Sequence, residues 1–418
     1  MYKKLSIVLI ISLLCLSPIA AEDWDSFAGD INHTAYRDDN SNFITNLWTF
    51  NMEDSIHSSP AIYKDYVFVV SSQGILKVIN METGEKEWDL DLGVQTNSSP
   101  IVHNNRLYIG CEDGLKAINI NNHKIIWEYD CDNVASTPFY YDDIIYFGSD
   151  DGHLYGLNTD GKVEFNKKLD GELKSSPIVV DDSIFIGSTN GKIYSIGTDK
   201  KKNWDFTTAD EILSTPSYIN DSVVFGSNDG NFYSLNVSDG NLNWKVELNN
   251  TIISSPTVDS HDNSIYIGSD DGTLTCLDDR DGTVKWTFDT GDKVESTAAL
   301  KDNLVAFGST NGVFYVLNKY TGVEEFTYNP GTILFNSKIS SSPVINGNSL
   351  FFGDDAGYLY SLNIEKNEVP SSTQMYYSIA VIIIVIIVAI FVIRKFKGRN
   401  WFSTFFNIFM TNVVNVWS

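Results

Sequence analysis

Short apolar runs alternate with turn residues along most of the chain. In residues 58–93 they form four candidate strands, SSPAIYKD, YVFVVSS, ILKVIN and KEWDLDL, bounded by Gly, Asp and Asn. The second and third runs are often joined by a dipeptide such as Asn190-Gly191, which supplies the positive φ of a tight hairpin. The pattern predicts a small antiparallel sheet of four strands.

This unit recurs about every 40 residues, which indicates a repeat architecture. Three markers follow it in step. An S-S/T-P marker ends at Pro60, Pro100, Pro138, Pro177, Pro216, Pro256, Ala298 and Pro343. A turn glycine follows at Gly74, Gly114, Gly152, Gly191, Gly230, Gly272, Gly312 and Gly357. An aromatic residue occurs at Trp48, Trp88, Trp127, Phe165, Trp204, Trp244, Trp286 and Phe326. Four-stranded units repeated radially form a β-propeller.

The phase of the markers predicts how the ring closes. The aromatic series begins at Trp48, before the first S-S-P, and the last unit stops after residues 357–363 without a fourth strand. The strand around Trp48 should therefore complete the blade that begins at Ser341, which removes the open sheet edges. We expect an all-β fold, an eight-bladed β-propeller of four-stranded antiparallel blades, plus one C-terminal transmembrane helix.

The sequence divides into six predicted segments. They are a secretory signal peptide (1–21), a polar N-terminal extension (22–43), the propeller (44–364), a polar linker (365–375), a transmembrane helix (376–393) and a basic, amphipathic tail (394–418). An uncleaved N-terminal anchor is the alternative for the first segment. Residues 400–418 could form a helix in the inner membrane interface or an unstructured or assembly-related tail.

Basic residues flank both apolar runs and predict the topology. Lys3 and Lys4 precede the apolar run of the leader, whereas Arg394, Lys395 and Lys397 follow the long apolar run. Positive charge favours the cytoplasmic side, so we expect a single-pass cell-membrane protein with an extracellular propeller and a cytoplasmic C-terminus.

The charge balance narrows the class of partner. The chain has 29 Lys+Arg against 54 Asp+Glu, and several of its basic residues flank the apolar runs. The propeller is therefore strongly acidic, which excludes nucleic acid and suits solubility or a basic partner.

Cysteine and histidine patterns give no support for a disulfide framework or a metal site. Outside the leader an odd number of cysteines remains, Cys111, Cys131 and Cys276. Cys111 and Cys131 could pair, but free thiols are expected, and Cys276 is expected in the core. The histidines have no ligand spacing, and the acidic turns at Gly152 and Gly272 lack the spaced oxygens of a Ca²⁺ loop.

The repeat resembles the tryptophan-docking motif of pyrroloquinoline-quinone (PQQ) β-propellers. The string TGEKEW (83–88) carries the likeness, DGNLNW (239–244) and DGTVKW (281–286) match it less fully, and the stretch from Trp24 to Thr34 resembles the opening that precedes such repeats. The resemblance covers roughly residues 24–363. It implies that the ring of the docking tryptophan lies between blades, a structural role assigned here to Trp48, Trp88, Trp127, Trp204, Trp244 and Trp286. Phe165 and Phe326 replace the tryptophan in two blades.

The same family includes PQQ-dependent dehydrogenases and a non-enzymatic propeller of the bacterial outer-membrane assembly machine. The dehydrogenases need a Ca²⁺-bound quinone, a carboxylate base, long insertions and often adjacent cysteines. This chain has no adjacent cysteines, and its marker spacing leaves no room for a lid. We therefore expect no catalytic residue, no metal and no cofactor, with PQQ and Ca²⁺ as the alternative.

The position just before each S-S/T-P marker should face the mouth of the central channel. The candidates there for a small polar binding site are His57, Asn97, Lys174, Glu295 and Ser340, in a series that also contains Ala135, Leu213 and Ile253. The alternative is that Lys174 and Glu295 are solvated loop charges. The function favoured by the sequence is a cell-surface platform that binds a protein or surface polymer. A quinoprotein dehydrogenase and a glycan-binding adhesin are the alternatives.

Overall fold

The computed structural model describes residues 36–37, 43–248, 250–331 and 336–365. Two N-terminal strands, β1 (Tyr36–Arg37) and β2 (Phe43–Asn51), precede the repeats. Within the described residues the strands form eight sheets, numbered here as blades 1 to 8 in the order of their innermost strands.

Blades 1 to 4 follow one another along the chain. Blade 1 contains β3 (Ala61–Tyr63), β4 (Tyr66–Val70), β5 (Ile75–Asn80) and β6 (Lys86–Asp91), and blade 2 contains β7 (Ile101–His103), β8 (Arg106–Cys111), β9 (Gly114–Asn119) and β10 (Lys124–Asp130). Blade 3 contains β11 (Phe139–Tyr141), β12 (Ile144–Gly148), β13 (His153–Asn158) and β14 (Val163–Lys168), and blade 4 contains β15 (Ile178–Val180), β16 (Ser183–Gly187), β17 (Lys192–Gly197) and β18 (Lys202–Thr207).

Blades 5 to 8 repeat this arrangement. Blade 5 contains β19 (Ser217–Ile219), β20 (Ser222–Gly226), β21 (Asn231–Asn236) and β22 (Leu242–Glu247), and blade 6 contains β23 (Thr257–Asp259), β24 (Ser264–Gly268), β25 (Thr273–Asp278) and β26 (Val284–Asp289). Blade 7 contains β27 (Ala299–Lys301), β28 (Leu304–Gly308), β29 (Phe314–Asn318) and β30 (Glu324–Tyr328). Blade 8 contains β31 (Val344–Asn346), β32 (Ser349–Gly353) and β33 (Tyr358–Glu365), and β2 is its fourth strand.

Each blade is an antiparallel meander in which sequential strands pair. In blade 1, for example, Val67 of β4 lies opposite Ile79 of β5. The first two strands are joined by a two-residue turn with left-handed backbone, as at Asp142 (φ 49°) and Asp143 (φ 62°). Asn and Asp tolerate that conformation better than other side chains, which explains why they recur there.

The ring closes as the phase of the markers predicts. The outer strand β2 pairs antiparallel with β33, with Trp48 opposite Ser361 and Phe43 opposite Glu365. Blade 8 therefore has the order β2-β33-β32-β31, with strands from both ends of the propeller. The predictions of eight four-stranded antiparallel blades and of a closing strand around Trp48 are confirmed.

One strand is not foreseen by the sequence. β1 pairs in parallel with β27, the innermost strand of blade 7, with Tyr36 opposite Leu300, so this sheet has five strands. The inner edge of a blade faces the central channel and carries unpaired backbone groups, which a short extended segment can satisfy. Part of the predicted N-terminal extension therefore lies inside the ring.

The hydrophobic core lies between blades. One cluster joins Phe68 and Val70 of β4 to Leu107 and Ile109 of β8, and all four are almost fully buried. The blades pack face to face around the ring, so each apolar sheet face is covered by its neighbour.

The connections define two faces. The turn from second to third strand, and the link from the fourth strand to the next blade, form the top face. The turns from first to second and from third to fourth strand form the bottom face. In the described part of the chain no helix is long and apolar enough to cross a bilayer. The predicted signal peptide (1–21), transmembrane helix (376–393) and tail (394–418) lie outside the described residues.

Candidate functional site

The S-S/T-P markers form a belt of buried hydroxyls around the top of the channel. At five seams the backbone N–H of the second marker residue donates to a serine Oγ of the next blade. These bonds run Ser59 to Ser99 (2.9 Å), Thr137 to Ser176 (2.8 Å), Thr215 to Ser255 (3.1 Å), Thr297 to Ser342 (2.9 Å) and Ser342 to Ser59 (3.2 Å).

The other three seams use the first serine of the marker. Its hydroxyl donates to the carbonyl of the equivalent residue in the next blade, from Ser98 to Ser136 (2.8 Å), Ser175 to Ser214 (3.0 Å) and Ser254 to Ser296 (3.1 Å). Every seam of the ring is therefore bridged by a marker serine or threonine, all of them buried. The repeat needs small hydroxyl side chains at these positions because buried backbone groups must be hydrogen-bonded.

The same serines fix the inner strands of their own blades. Ser136 Oγ donates to Gly148 O at 2.9 Å and accepts from Gly148 N at 3.0 Å. A Cβ on Gly148 would lie 2.6 Å from Leu173 O, so only glycine fits at the end of this strand. These contacts fix the marker, and the residue before it lies on the top-face link that leads into the innermost strand.

The five candidate residues belong to five different links of the top face. His57, Asn97 and Lys174 are exposed, and Glu295 and Ser340 are half-buried. Ser340 Oγ lies 3.4 Å from Glu295 Oε2, so the structure brings these two together. His57 Nε2 lies 3.7 Å from Asp355 Oδ1, and Lys174 Nζ lies 2.6 Å from Glu172 Oε2, so both pair with acids outside the candidate set.

A second set of acids lies in turns of the top face, and two of them belong to the acidic turns at Gly152 and Gly272 that the sequence favours as hairpin turns over Ca²⁺ sites. Asp150, Asp270 and Asp355 occupy equivalent positions in turns between second and third strands. Each has one buried carboxylate oxygen with no hydrogen-bond partner among the described residues. The other oxygen of Asp150 accepts from Asn133 Nδ2 at 2.8 Å, and that of Asp270 lies 2.5 Å from Lys293 Nζ. Their position two residues before the turn glycine is the signal that could have identified them.

The electrostatics at the mouth follow from this geometry. Burial raises the pKa of Asp355 above its ordinary value, although His57 and Lys338 oppose the shift. The hydrogen bond with Glu172 raises the pKa of Lys174, so this lysine stays charged. Among the described residues no group of three or more His, Cys, Asp or Glu side chains is arranged to hold a metal ion. Asp150, Asp270 and Asp355 belong to three different blades, 3, 6 and 8.

The docking tryptophans lie near the bottom face. Five indole Nε1 atoms donate to a turn carbonyl of the next blade at 2.9 to 3.0 Å. The pairs are Trp48 with Met81, Trp127 with Thr159, Trp204 with Val237, Trp244 with Asp279 and Trp286 with Lys319. In each of these turns a glycine with positive φ lies under the indole, as Gly84 does under Trp48.

The exceptions in this series follow from the turn that each aromatic meets. Trp88 stacks on His123, which stands where five other turns have glycine. The turn that follows Phe165 in the ring has Lys200 at the glycine position, with φ 71°. Phe326 precedes blade 8, whose third and fourth strands are joined by no turn because they come from opposite ends of the propeller. Two of the three positions without a glycine turn therefore have phenylalanine.

The three cysteines of the described residues are free thiols. Cys111 and Cys276 are buried and Cys131 is half-buried. Burial raises the pKa of each thiol to about 12, which leaves them protonated and unreactive at neutral pH.

Comparison with known proteins agrees with this geometry. Residues 112–364 match the family model described as the β-propeller of the β-alanine-activating enzyme. The outer membrane protein assembly factor BamB of Yersinia pestis is 24% identical over 145 residues, which cover 30% of this chain and 37% of that protein. The chain thus spans little more than a third of this curated relative.

Two solved structures show the same fold. BamB from Moraxella catarrhalis superposes with a TM-score of 0.66 at 15% identity, covering 77% of this chain and 100% of that chain. Quinohemoprotein alcohol dehydrogenase from Comamonas testosteroni superposes with a TM-score of 0.67 at 13% identity, covering 82% of this chain and 81% of that chain. The resemblance to PQQ propellers is thereby confirmed. The chain belongs to the β-propeller family described for the β-alanine-activating enzyme, and its propeller is of the PQQ-like type found in BamB.

Proposed function

We propose that this protein is a non-catalytic scaffold of the cell envelope, whose top face binds a protein partner. The observation that carries the proposal is the top face, where polar and charged side chains are distributed around the ring on the connections between strands. Such a surface suits a broad protein contact more than a small molecule, which needs a concave and largely apolar pocket. The likeness to BamB, a protein named as an assembly factor, supports the same class of role.

The chemistry of the partner follows from the charges of the top face. Carboxylates dominate its connections, among them Asp54, Glu112, Asp132, Asp150, Glu172, Glu211, Asp270, Glu295 and Asp355. The cations on the same described connections are His57, Lys174, Lys293 and Lys338, and Lys174 and Lys293 are paired with acids. Lys116 and Lys192 reach acids of these connections from the adjoining strands. The partner should therefore present basic side chains, because complementary charge accelerates encounter and rejects acidic competitors.

The same proposal includes the attachment to the membrane. Residues 376–393 are uncharged and long enough to cross a bilayer, and Arg394, Lys395, Lys397 and Arg399 follow directly. The propeller then stands outside the cell and the C-terminus in the cytoplasm. Protease treatment of intact cells should digest the propeller and spare an epitope at residue 418, and alkaline carbonate should leave the protein in the membrane.

The partner is best sought by crosslinking from the mouth. A photoreactive amino acid replaces Asn97 on the top face in the full-length protein in its native membrane. The matched control replaces Asp181 on the bottom face. A discrete protein adduct from position 97, weakened by raised salt and absent from position 181, supports the proposal. Equal labelling at both positions, or none at 97, contradicts it.

Two alternatives have outcomes of their own. The fold is shared with quinohemoprotein dehydrogenases, so the purified protein should also be given PQQ and Ca²⁺ with alcohols, sugars and a redox dye. Dye reduction would replace the scaffold role with a dehydrogenase. Selective binding on a glycan array would replace it with adhesion.

A further inference from the structure

Blade 7 departs from the other blades at the third position of its marker. Seven markers end in proline, whereas the marker of blade 7 is Ser296-Thr297-Ala298. In the described part of the chain the sheet of blade 7 also has a fifth strand, while the other seven sheets have four strands each. The exception in sequence and the exception in topology therefore fall on the same blade.

The backbone of Ala298 faces the free inner edge of that sheet. Lys301 and Leu304 flank a two-residue turn, and residues in that position exchange backbone hydrogen bonds. Bonded and unbonded residues alternate along an antiparallel strand, so Leu300 and Ala298 direct their N–H groups away from β28. The carbonyl of Ala298 agrees with this direction, because it accepts from Thr257 Oγ1 of blade 6 at 2.6 Å.

Proline at this position removes a donor from the inner edge. It has no N–H, and its ring fills space beside the edge, so proline on an edge strand protects against strand addition. Blade 7 keeps the donor, at Ala298, and β1 pairs there in parallel, with Tyr36 opposite Leu300 and Arg37 opposite Lys301. A parallel partner of Leu300 enters the edge from the side of Ala298. The residue at position 298 therefore decides whether this edge is open.

The lower end of the same edge is tied to the neighbouring blade. Lys301 is buried, and its Nζ donates to Gly347 O at 2.7 Å and to Asn348 Oδ1 at 3.3 Å in a bottom turn of blade 8. β1 also lies beside β31, the innermost strand of blade 8. The tie thus crosses the seam at which β1 lies, and a preorganised edge loses less entropy when a strand is added.

We propose that the inner edge of blade 7 is a strand-acceptor site, opened by Ala298, and that the chain's own segment around Tyr36 and Arg37 is its occupant. The site recognises an extended backbone, because the pairing uses main-chain groups and not particular side chains. It holds the segment that precedes the propeller inside the ring, on one blade out of eight. The prolines of the other seven markers keep their inner edges from competing for this segment.

Trypsin cleavage after Arg37 in the full-length protein tests the site. Ala298→Pro gives blade 7 the Ser-Thr-Pro marker that blades 3 and 5 already have, so the blade should fold while β1 leaves the edge. We expect cleavage after Arg37 to become severalfold faster, with an added peptide substrate as the reference for trypsin activity. Ala298→Ser keeps the N–H and should match the parent chain. Pro256→Ala, in a marker of a four-stranded blade, should also leave the rate unchanged.

Two results of this experiment overturn the inference. One is an unchanged rate of cleavage after Arg37 in Ala298→Pro. The other is equal acceleration in Ala298→Ser, since the effect would then belong to the side chain and not to the backbone donor. Thermal denaturation checks that each variant unfolds as cooperatively as the parent chain.

A second variant changes the occupant and leaves every blade intact. Tyr36→Pro combined with Arg37→Pro removes both backbone donors of β1. Hydrogen exchange measured by mass spectrometry should then be faster in a peptide that covers Leu300, and unchanged in the equivalent peptide of blade 6 around Val258. This measurement decides the question even where Ala298→Pro does not fold. Equal protection of Leu300 in the parent chain and the double variant would show that β1 is not the partner of this edge.

Discussion

Trp88 lies flat against His123 of the neighbouring blade, with ring centroids 4.4 Å apart and planes within 9°. At the equivalent place five other seams have a tryptophan over a turn glycine. His123 adopts the positive φ of that glycine (59°) and fills the space above it with an imidazole. The seam between blades 1 and 2 thus replaces close approach to a backbone with a stacked aromatic pair.

A double-mutant cycle should measure this stack. Trp88→Leu and His123→Ala are each expected to destabilise the propeller, with a coupling energy of about 0.5–1.5 kcal/mol. Urea denaturation of the four proteins gives the coupling. Additive effects would mean that the two rings are neighbours without mutual stabilisation.

The glycine turns should be intolerant for two separable reasons. Gly161 has φ +81°, and an added Cβ would lie 2.7 Å from the ring of Trp127. Gly291 has φ +83° but nothing within 4 Å of an added Cβ. Gly291→Ala should therefore cost about 1–2 kcal/mol for the left-handed backbone alone. Gly161→Ala should cost more, because the indole must also move. Equal midpoints in thermal denaturation would contradict this account of the docking motif.

The hydroxyl belt should contribute to closure of the ring. Ser59→Ala removes the acceptor for the Ser342 N–H, and the buried donor left unpaired should cost about 1–3 kcal/mol. Ser238→Ala, at an exposed turn serine, is the control and should change stability by less than about 0.5 kcal/mol. Chemical denaturation measures both. If Ser59→Ala lowers the free energy of unfolding no more than Ser238→Ala does, the hydrogen bond from Ser342 N–H to Ser59 Oγ is not important for stability.

Two tyrosine-bonded carboxylates should give opposite pH dependence. Asp354 accepts from Tyr360 Oη at 2.9 Å, and burial raises its pKa above the unfolded value. Asp151 accepts from Tyr155 Oη at 2.7 Å. Burial also raises the pKa of Asp151, but the hydrogen bonds from Tyr155 and His153 outweigh this effect, so the pKa of Asp151 is lowered.

The signs follow by linkage. The stability due to Asp354 is fully present below the unfolded pKa of about 3.8 and is lost as pH rises through its folded pKa. The stability due to Asp151 is present above the unfolded pKa and is lost as pH falls through its folded pKa. Relative to the parent chain, Asp354→Asn should therefore gain stability as pH rises from 3.5 to 7, and Asp151→Asn should lose it. Urea denaturation across this range checks both, and parallel slopes would exclude the explanation.

The thiols should report unfolding. Burial raises the pKa of Cys276 to about 12, and its side chain is inaccessible. At pH 8 iodoacetamide should therefore modify Cys276 only as fast as the blade opens, and rapidly in denaturant. Mass spectrometry of the alkylated peptides measures the rate. Fast modification under native conditions would place this strand outside the core.

The candidate site was only partly accessible from the sequence. The position before each S-S/T-P marker could be assigned to the link into the innermost strand because it has a fixed place in the repeat. The pairing of His57 with Asp355 could not be predicted from the sequence, because the two residues belong to opposite ends of the propeller and meet only when the ring closes. The bridging role of the marker serines was hidden for a similar reason, since their partners lie one blade away.

The sequence by itself determined the blade, the number of blades and the closing strand. Hairpin turns, alternating apolar runs and the phase of Trp48 are local signals, and the sheets form from neighbours in the chain. Only the tertiary structure decided where β1 lies and which side chains meet across seams. The parallel pairing with Leu300 and Lys301 could not be predicted from the exception at Ala298 alone, because it depends on an inner edge that exists only once the ring is closed.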